Sequence, residues 1–131
     1  MIVLDTHALV WWASGDSQLS RPAREAIETE SRDGEILVSA ISAWEVAMLV
    51  KTGRLALTMH TSAWLDTVGQ IPAVRFVPVD VRISVHSVDL PGEFHKDPAD
   101  RFIVATARHH SAPLVTADTK IHHYPHVQTI W

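Results

Sequence analysis

The segment HKDPADRFIVATA (His95–Ala107) places two aspartates at the start of what otherwise reads as a buried helix. Asp97 stands directly before Pro98, a common helix opening in which Asp is the N-cap and Pro the first helical residue. Asp100 then falls in the first turn, on the stripe that continues as Ile103, Val104 and Ala107. A carboxylate on that face looks inward, toward something cationic. Three further acids stand where they can join it. Asp5 ends the apolar run IVLD, Asp118 ends PLVTAD, and Glu45 shares a helical face with Ile41, Met48 and Leu49. Each also has a plainer reading. Asp5 fits as the cap of the next helix, with Thr6 as the alternative cap for a helix beginning at His7. Glu45 completes the capping-box spacing with Ser42. Asp118 fits as the cap of a final turn, and Asp80, in PVD, reads as a cap alone.

Carboxylates aimed at one crevice repel each other unless protonated or neutralised. With oxygen donors and no cysteine in the chain, the cation they favour is Mg²⁺ or Mn²⁺ rather than zinc. Phosphodiester hydrolysis suits such a site: one divalent ion lowers the pKa of a water, and a second, ~3.5–4 Å away, steadies the leaving oxygen. The twelve-residue EF-hand pattern of a calcium site is absent. His109 and His110, with His122, His123 and His126, raise a zinc alternative. No HExxH occurs, and Pro125 interrupts the helix needed to set His122 and His126 on one face. These histidines read as surface residues.

The elements that must position the acids alternate along the chain. Runs rich in β-branched residues lie at 2–5, 35–40, 74–80 and 113–118. Segments of helical character lie at 22–32, 42–52, 61–71, 81–88 and 98–110, the first opened by Pro22 and the second closed by Gly53 as a C-cap. Such alternation specifies an α/β domain with a mainly parallel sheet. Ligands of that architecture gather outside the carboxyl ends of the strands, where Asp5, Asp80 and Asp118 sit. A length of 131 residues suits one domain. Net charge is −4, which argues against nonspecific nucleic-acid binding through overall charge but not against binding through cations at the site. No apolar run approaches the ~20 residues needed to span a bilayer, and MIVLD lacks the pattern of a secretory signal. A soluble, cytoplasmic protein is expected.

In order, the motifs resemble the PIN-domain family, specifically the ribonuclease toxins of bacterial VapBC-type (type II) toxin–antitoxin pairs. IVLDTHALVWW is similar to the family's opening strand and Asp-Thr block, and SAISAWEVAMLVKTGRL to its glutamate-bearing helix. HKDPADRFIVATA and LVTAD are similar to its third and fourth blocks, so the resemblance covers the whole chain. It implies a PIN-like three-layer α/β/α fold with a mainly parallel central sheet, residues 1–131 forming a single nuclease domain. It further implies metal-dependent endonucleolytic cleavage of RNA, with Asp5, Glu45, Asp100 and Asp118 as the catalytic, metal-binding acids around Mg²⁺ or Mn²⁺. In the third block the acid five residues before Ala105 aligns, so Asp100 rather than Asp97 inherits that role.

The same resemblance implies supporting parts. Asp97, in the subgroup pattern Asp-Pro-x-Asp-Arg, and the hydroxyls of Thr6 and Thr116 would orient the acids. Lys51, Arg54, Lys96 and Arg101 are candidates to bind flanking RNA phosphates, Lys96 and Arg101 foremost, although each alone also reads as a helix-end cation. A cognate antitoxin would wrap the chain and block the site. Trp11, Trp12, Trp44 and Trp64 could offer apolar surface to that antitoxin or to a second copy in a homodimer, against the commoner role of tryptophan in a core. The rival reading is a non-catalytic PIN-like scaffold that binds nucleic acid or a protein. A phosphatase or nucleotide hydrolase ranks below both, because no Gly-rich phosphate loop is present.

Overall fold

Alternation of side chains along short strands decides the layering. A computed structural model describes residues 1–131. Its strands are β1 (Ile2–Leu4), β2 (Ile36–Ser39), β3 (Val74–Val77), β4 (Leu114–Val115) and β5 (Thr129–Ile130). Its helices are α1 (Thr6–Ser14), α2 (Arg21–Asp33), α3 (Ala40–Lys51), α4 (Thr61–Gly69), α5 (Val81–Val88), α6 (Pro98–His109) and α7 (Thr119–His122). Ile2 and Leu4, with Ile36, Val38 and Val115, face one side of the sheet and meet Leu9 of α1 and Ala23 and Ile27 of α2. Val3, Leu37 and Leu114 face the other and meet Ile83 of α5 and Ile103, Val104 and Ala107 of α6. Both sides of the sheet are therefore covered, giving an α/β/α sandwich as expected. Each fully buried aliphatic side chain of these layers stabilises the fold by ~1.5–3 kcal/mol relative to exposure.

Strand order is β3-β2-β1-β4-β5, and every neighbouring pair is parallel. The chain winds outward from β1 through β2 to β3, then returns to the opposite side of β1 with β4 and β5. That reversal leaves a crevice between β1 and β4 beyond their carboxyl ends, the position where ligands of such sheets bind. Asp5 follows β1 directly, and Asp118 lies three residues beyond β4.

Several elements differ from expectation for local reasons. The first helix begins at Thr6 with Asp5 as its N-cap, Oδ1 accepting the Thr6 N–H, so Thr6 is not the cap. Helix α3 starts at Ala40 under Ser39, whose Oγ accepts the Ile41 N–H. Ser42 and Glu45 thus lie inside the helix, and the capping-box reading of that pair is set aside. Strand β3 stops at Val77, because Pro78 has no N–H to continue a ladder. Asp80 and Asp97 cap α5 and α6 as the sequence indicates, accepting the N–H of Ile83 and Ala99. The short strand β5, beside β4, has no counterpart among the expected elements. No helix is long and apolar enough to cross a membrane.

Candidate active site

Four acids from four segments meet at the crevice. Asp5, Glu45, Asp100 and Asp118 line one cavity of about 310 Å³ together with Thr6, His7, Trp11 and Arg54. The hydrogen bonds beneath them form one connected set. Asp5 is 4% exposed; its Oδ1 takes the Thr6 N–H at 2.8 Å and its Oδ2 the Thr116 hydroxyl at 2.7 Å. Thr116 Oγ1 in turn accepts the Asp118 N–H at 3.0 Å. Thr6 Oγ1 lies 2.6 Å from Glu45 Oε1 and 2.8 Å from Ser42 Oγ. A hydroxyl carries one hydrogen. Thr6 therefore donates to the carboxylate and accepts from the serine. Asp118 Oδ1 also caps α7 by accepting the Lys120 N–H at 2.9 Å, so its cap and crevice readings coexist.

Electrostatics record the crowding. Burial pushes the Asp100 carboxyl up to about 7, and the negative charges of Asp5, Asp97, Asp118 and Glu45 add to the rise. Burial also raises Glu45, against the Thr6 hydroxyl bond, with Asp5 and Asp97 contributing further. Asp97 therefore acts on the site by its charge while its side chain caps α6. A divalent cation would relieve this repulsion, and an all-carboxylate donor set fits a hard ion. Another metal-compatible grouping overlaps it: His95, Asp100 and Asp118 offer ligand atoms all within 4.8 Å of one another.

Arg54 reaches the cavity because of how α3 ends. Gly53 takes φ +74°, its N–H bonds Val50 O, and the Arg54 N–H bonds Leu49 O. That double closure is a Schellman motif, which needs a residue at ease in the left-handed region. The chain turns sharply there and sets Arg54 and Leu55 against the acids.

The remaining expected cations lie elsewhere. Lys51 is exposed at the end of α3, and Lys96 lines an adjoining shallow depression. Arg101 donates to the main-chain carbonyls of Ser87, Val88, Phe94 and His95 at 2.7–3.2 Å, so its guanidinium holds the loop before α6. Trp11, Trp12 and Trp64 pack against the buried layer of α1 and α2, whereas Trp44 is 58% exposed. The zinc alternative finds no geometry: both ring nitrogens of His122 are engaged, with Thr116 O and Thr129 Oγ1. His109 and His110 stack edge to face.

Sequence reasoning passes over two histidines. His7 Nε2 accepts the Ala117 N–H at 2.8 Å, and its Nδ1 lies 3.7 Å from Asp5 Oδ2, fastening the loop after β4 to α1. His95 Nε2 lies 3.1 Å from Asp100 Oδ2. Its only sequence signal is its place five residues before Asp100.

Fold and crevice together define a parallel α/β domain with an acidic pocket at the sheet's switch point, and residues 2–127 match the model of the PIN domain family. The chain belongs to that family. It is 36% identical, over 132 residues covering 99% of this chain and 98% of the relative, to Ribonuclease VapC22 of Mycobacterium tuberculosis. Among solved structures it is similar to VapBC2 from Rickettsia felis bound to a promoter DNA fragment, with TM-score 0.70 and 17% identity over 98% of this chain and 97% of that one. A toxin–antitoxin complex from Klebsiella pneumoniae is similar at TM-score 0.66 and 24% identity, over 97% and 95% of the two chains. At these identities the structural likeness concerns the fold.

Proposed function

We propose that this chain is a divalent-metal-dependent endoribonuclease, the toxin member of a type II toxin–antitoxin pair, acting as one domain in the cytoplasm. The convergence of Asp5, Glu45, Asp100 and Asp118 on one crevice carries the reading. The 36% identical relative, named a ribonuclease, supports RNA as the substrate. The complexes formed by its structural neighbours support an antitoxin as partner.

Asp5, Glu45, Asp100 and Asp118 would hold Mg²⁺ or Mn²⁺. When bound, such an ion lowers the pKa of water and offsets phosphoryl charge. The chain's own groups do the rest. Asp5 is fixed by Thr6 and Thr116, and Glu45 by Thr6, so neither reorganises when charge develops nearby. Asp100, with a carboxyl pKa of about 7 in the absence of a cation, holds a proton that it releases near neutrality. Arg54, on the cavity wall, binds a phosphate of the RNA strand. Exposed Trp44 and Met48 on α3 offer apolar surface to an antitoxin or a second copy.

The test is cleavage of RNA by the purified chain with Mg²⁺ or Mn²⁺ and with a chelator, beside Asp5→Asn and Asp100→Asn. Cleavage that needs the ion and both acids is expected. Equal cleavage by the variants, or none with any RNA and ion, would return the chain to the scaffold reading.

A further inference from the structure

His95 Nε2 is buried and has no hydrogen-bond partner, although Asp100 Oδ2 is only 3.1 Å away. The two atoms approach without the alignment that an N–H donor requires. The ring packs on Phe94, centroids 4.3 Å apart, and further contacts hold the loop that carries both. Arg101 donates to the carbonyls of Phe94 and His95 at 3.0 and 3.2 Å, and Phe94 stacks on Tyr124 with centroids 4.8 Å apart. The Tyr124 hydroxyl bonds Pro91 O, closing the base of the same loop. A ring packed on Phe94, in a loop held by Arg101 and Tyr124, with one nitrogen unsatisfied is arranged for a ligand that is not a proton donor.

From this geometry we propose that His95 Nε2 ligates the divalent cation held by Asp100 and Asp118, making that half of the site a mixed nitrogen and oxygen donor set. The inference rests on the acidic-site reading and adds to it. Ligation needs the lone pair on Nε2 and the proton on Nδ1. The contact that Nδ1 now makes, accepting the Asp97 N–H at 3.4 Å, is long and exposed, so solvent can replace it. Imidazole suits transition ions better than magnesium, so His95 biases the site toward Mn²⁺. Arg101 becomes a positioning residue for His95.

A protonated His95 serving only as counter-ion to Asp100 predicts the opposite sign, because its removal would free a carboxylate for the metal. The experiment is Mn²⁺ binding by the full chain, followed by calorimetry and by pulsed electron paramagnetic resonance for nitrogen coupling. We expect an imidazole coupling in wild type that His95→Gln abolishes and His7→Gln leaves intact. His95→Gln should also weaken Mn²⁺ binding by about tenfold or more and narrow the preference over Mg²⁺. Coupling retained by His7→Gln excludes the other histidine of the cavity even should His95→Gln fail to fold. Absence of nitrogen coupling in wild type that binds Mn²⁺, or unchanged or tighter binding by His95→Gln, overturns the proposal. Loss of Mn²⁺ binding in Asp100→Asn alongside that result leaves the acidic site standing, whereas no Mn²⁺ binding by wild type removes both.

Discussion

Thr116 and Asp5, at opposite ends of the sequence, are joined by a buried hydrogen bond of 2.7 Å from hydroxyl to carboxylate. The same oxygen accepts the Asp118 N–H. One side chain on the segment after β4 thereby sets the orientation of an acid after β1 and the main chain of a second acid. Strand pairing brings the two segments together, and the hydroxyl locks their mutual register.

Thr116→Val keeps the shape and deletes the hydroxyl. It leaves the Asp118 N–H unpaired and Asp5 without one donor, at a cost of ~1–3 kcal/mol in urea unfolding. RNA cleavage should fall by the ~10–100-fold typical of lost partners behind metal ligands, and Thr116→Ser should restore most of it. A valine variant as stable and as active as wild type would refute this account of the site.

Asp100 makes metal binding and stability depend on pH together. Its carboxyl, near 3.8 when unfolded, rises to about 7 in the fold, so the folded state binds its proton more tightly. The group's contribution to stability therefore declines as pH rises from about 3.8 to about 7 and stays low above that. A cation favours the ionised form and reverses the loss. Added Mg²⁺ or Mn²⁺ should raise Tm more on the alkaline side of about 7 than on the acid side. Asp100→Asn should flatten that difference and raise the metal-free Tm above neutrality. Thermal scans across pH with and without the ion decide it.

Gly53 and Arg54 separate backbone from charge. Gly53→Ala forces a β-carbon into the left-handed region at φ +74°, with nothing nearby to clash, and should cost ~1–2 kcal/mol. Arg54→Ala should leave unfolding nearly unchanged while raising KM for RNA more than it lowers kcat. The salt dependence of single-strand binding should lose about 0.7 from its slope for one phosphate contact. An unaltered slope would take Arg54 out of substrate binding.

Induced expression should arrest growth of a bacterial host. Asp5→Asn, accumulated to the same level, should not. Matching growth curves for the two proteins would count against a toxin.

The sheet and the acids were readable because both follow local rules. Apolar runs that end in aspartate mark strands approaching a crevice, and the stripe Ile103, Val104, Ala107 shows which aspartate of HKDPADR looks inward. Glu45 was ambiguous for a physical reason. Its spacing from Ser42 imitates a capping box, but β2 runs on to Ser39, pairing with β3, and the cap falls there. Arg101 was opaque too. Its partners are the last two carbonyls of α5 and two of the loop before α6, whose path is not encoded near the arginine itself. Two-residue strands such as β5 carry too little pattern to stand out. His95 gains meaning only when the loop is folded against Asp100.

The winding order of the sheet also governs when the pocket can exist. Its innermost strand is made before the other four, yet the neighbour that completes one wall emerges more than a hundred residues later. A nascent chain still short of Thr116 has neither that wall nor the final carboxylate. No ribosome-bound fragment of that kind can assemble the acidic quartet, and a cell translating the message meets the finished pocket only once Asp118 has emerged.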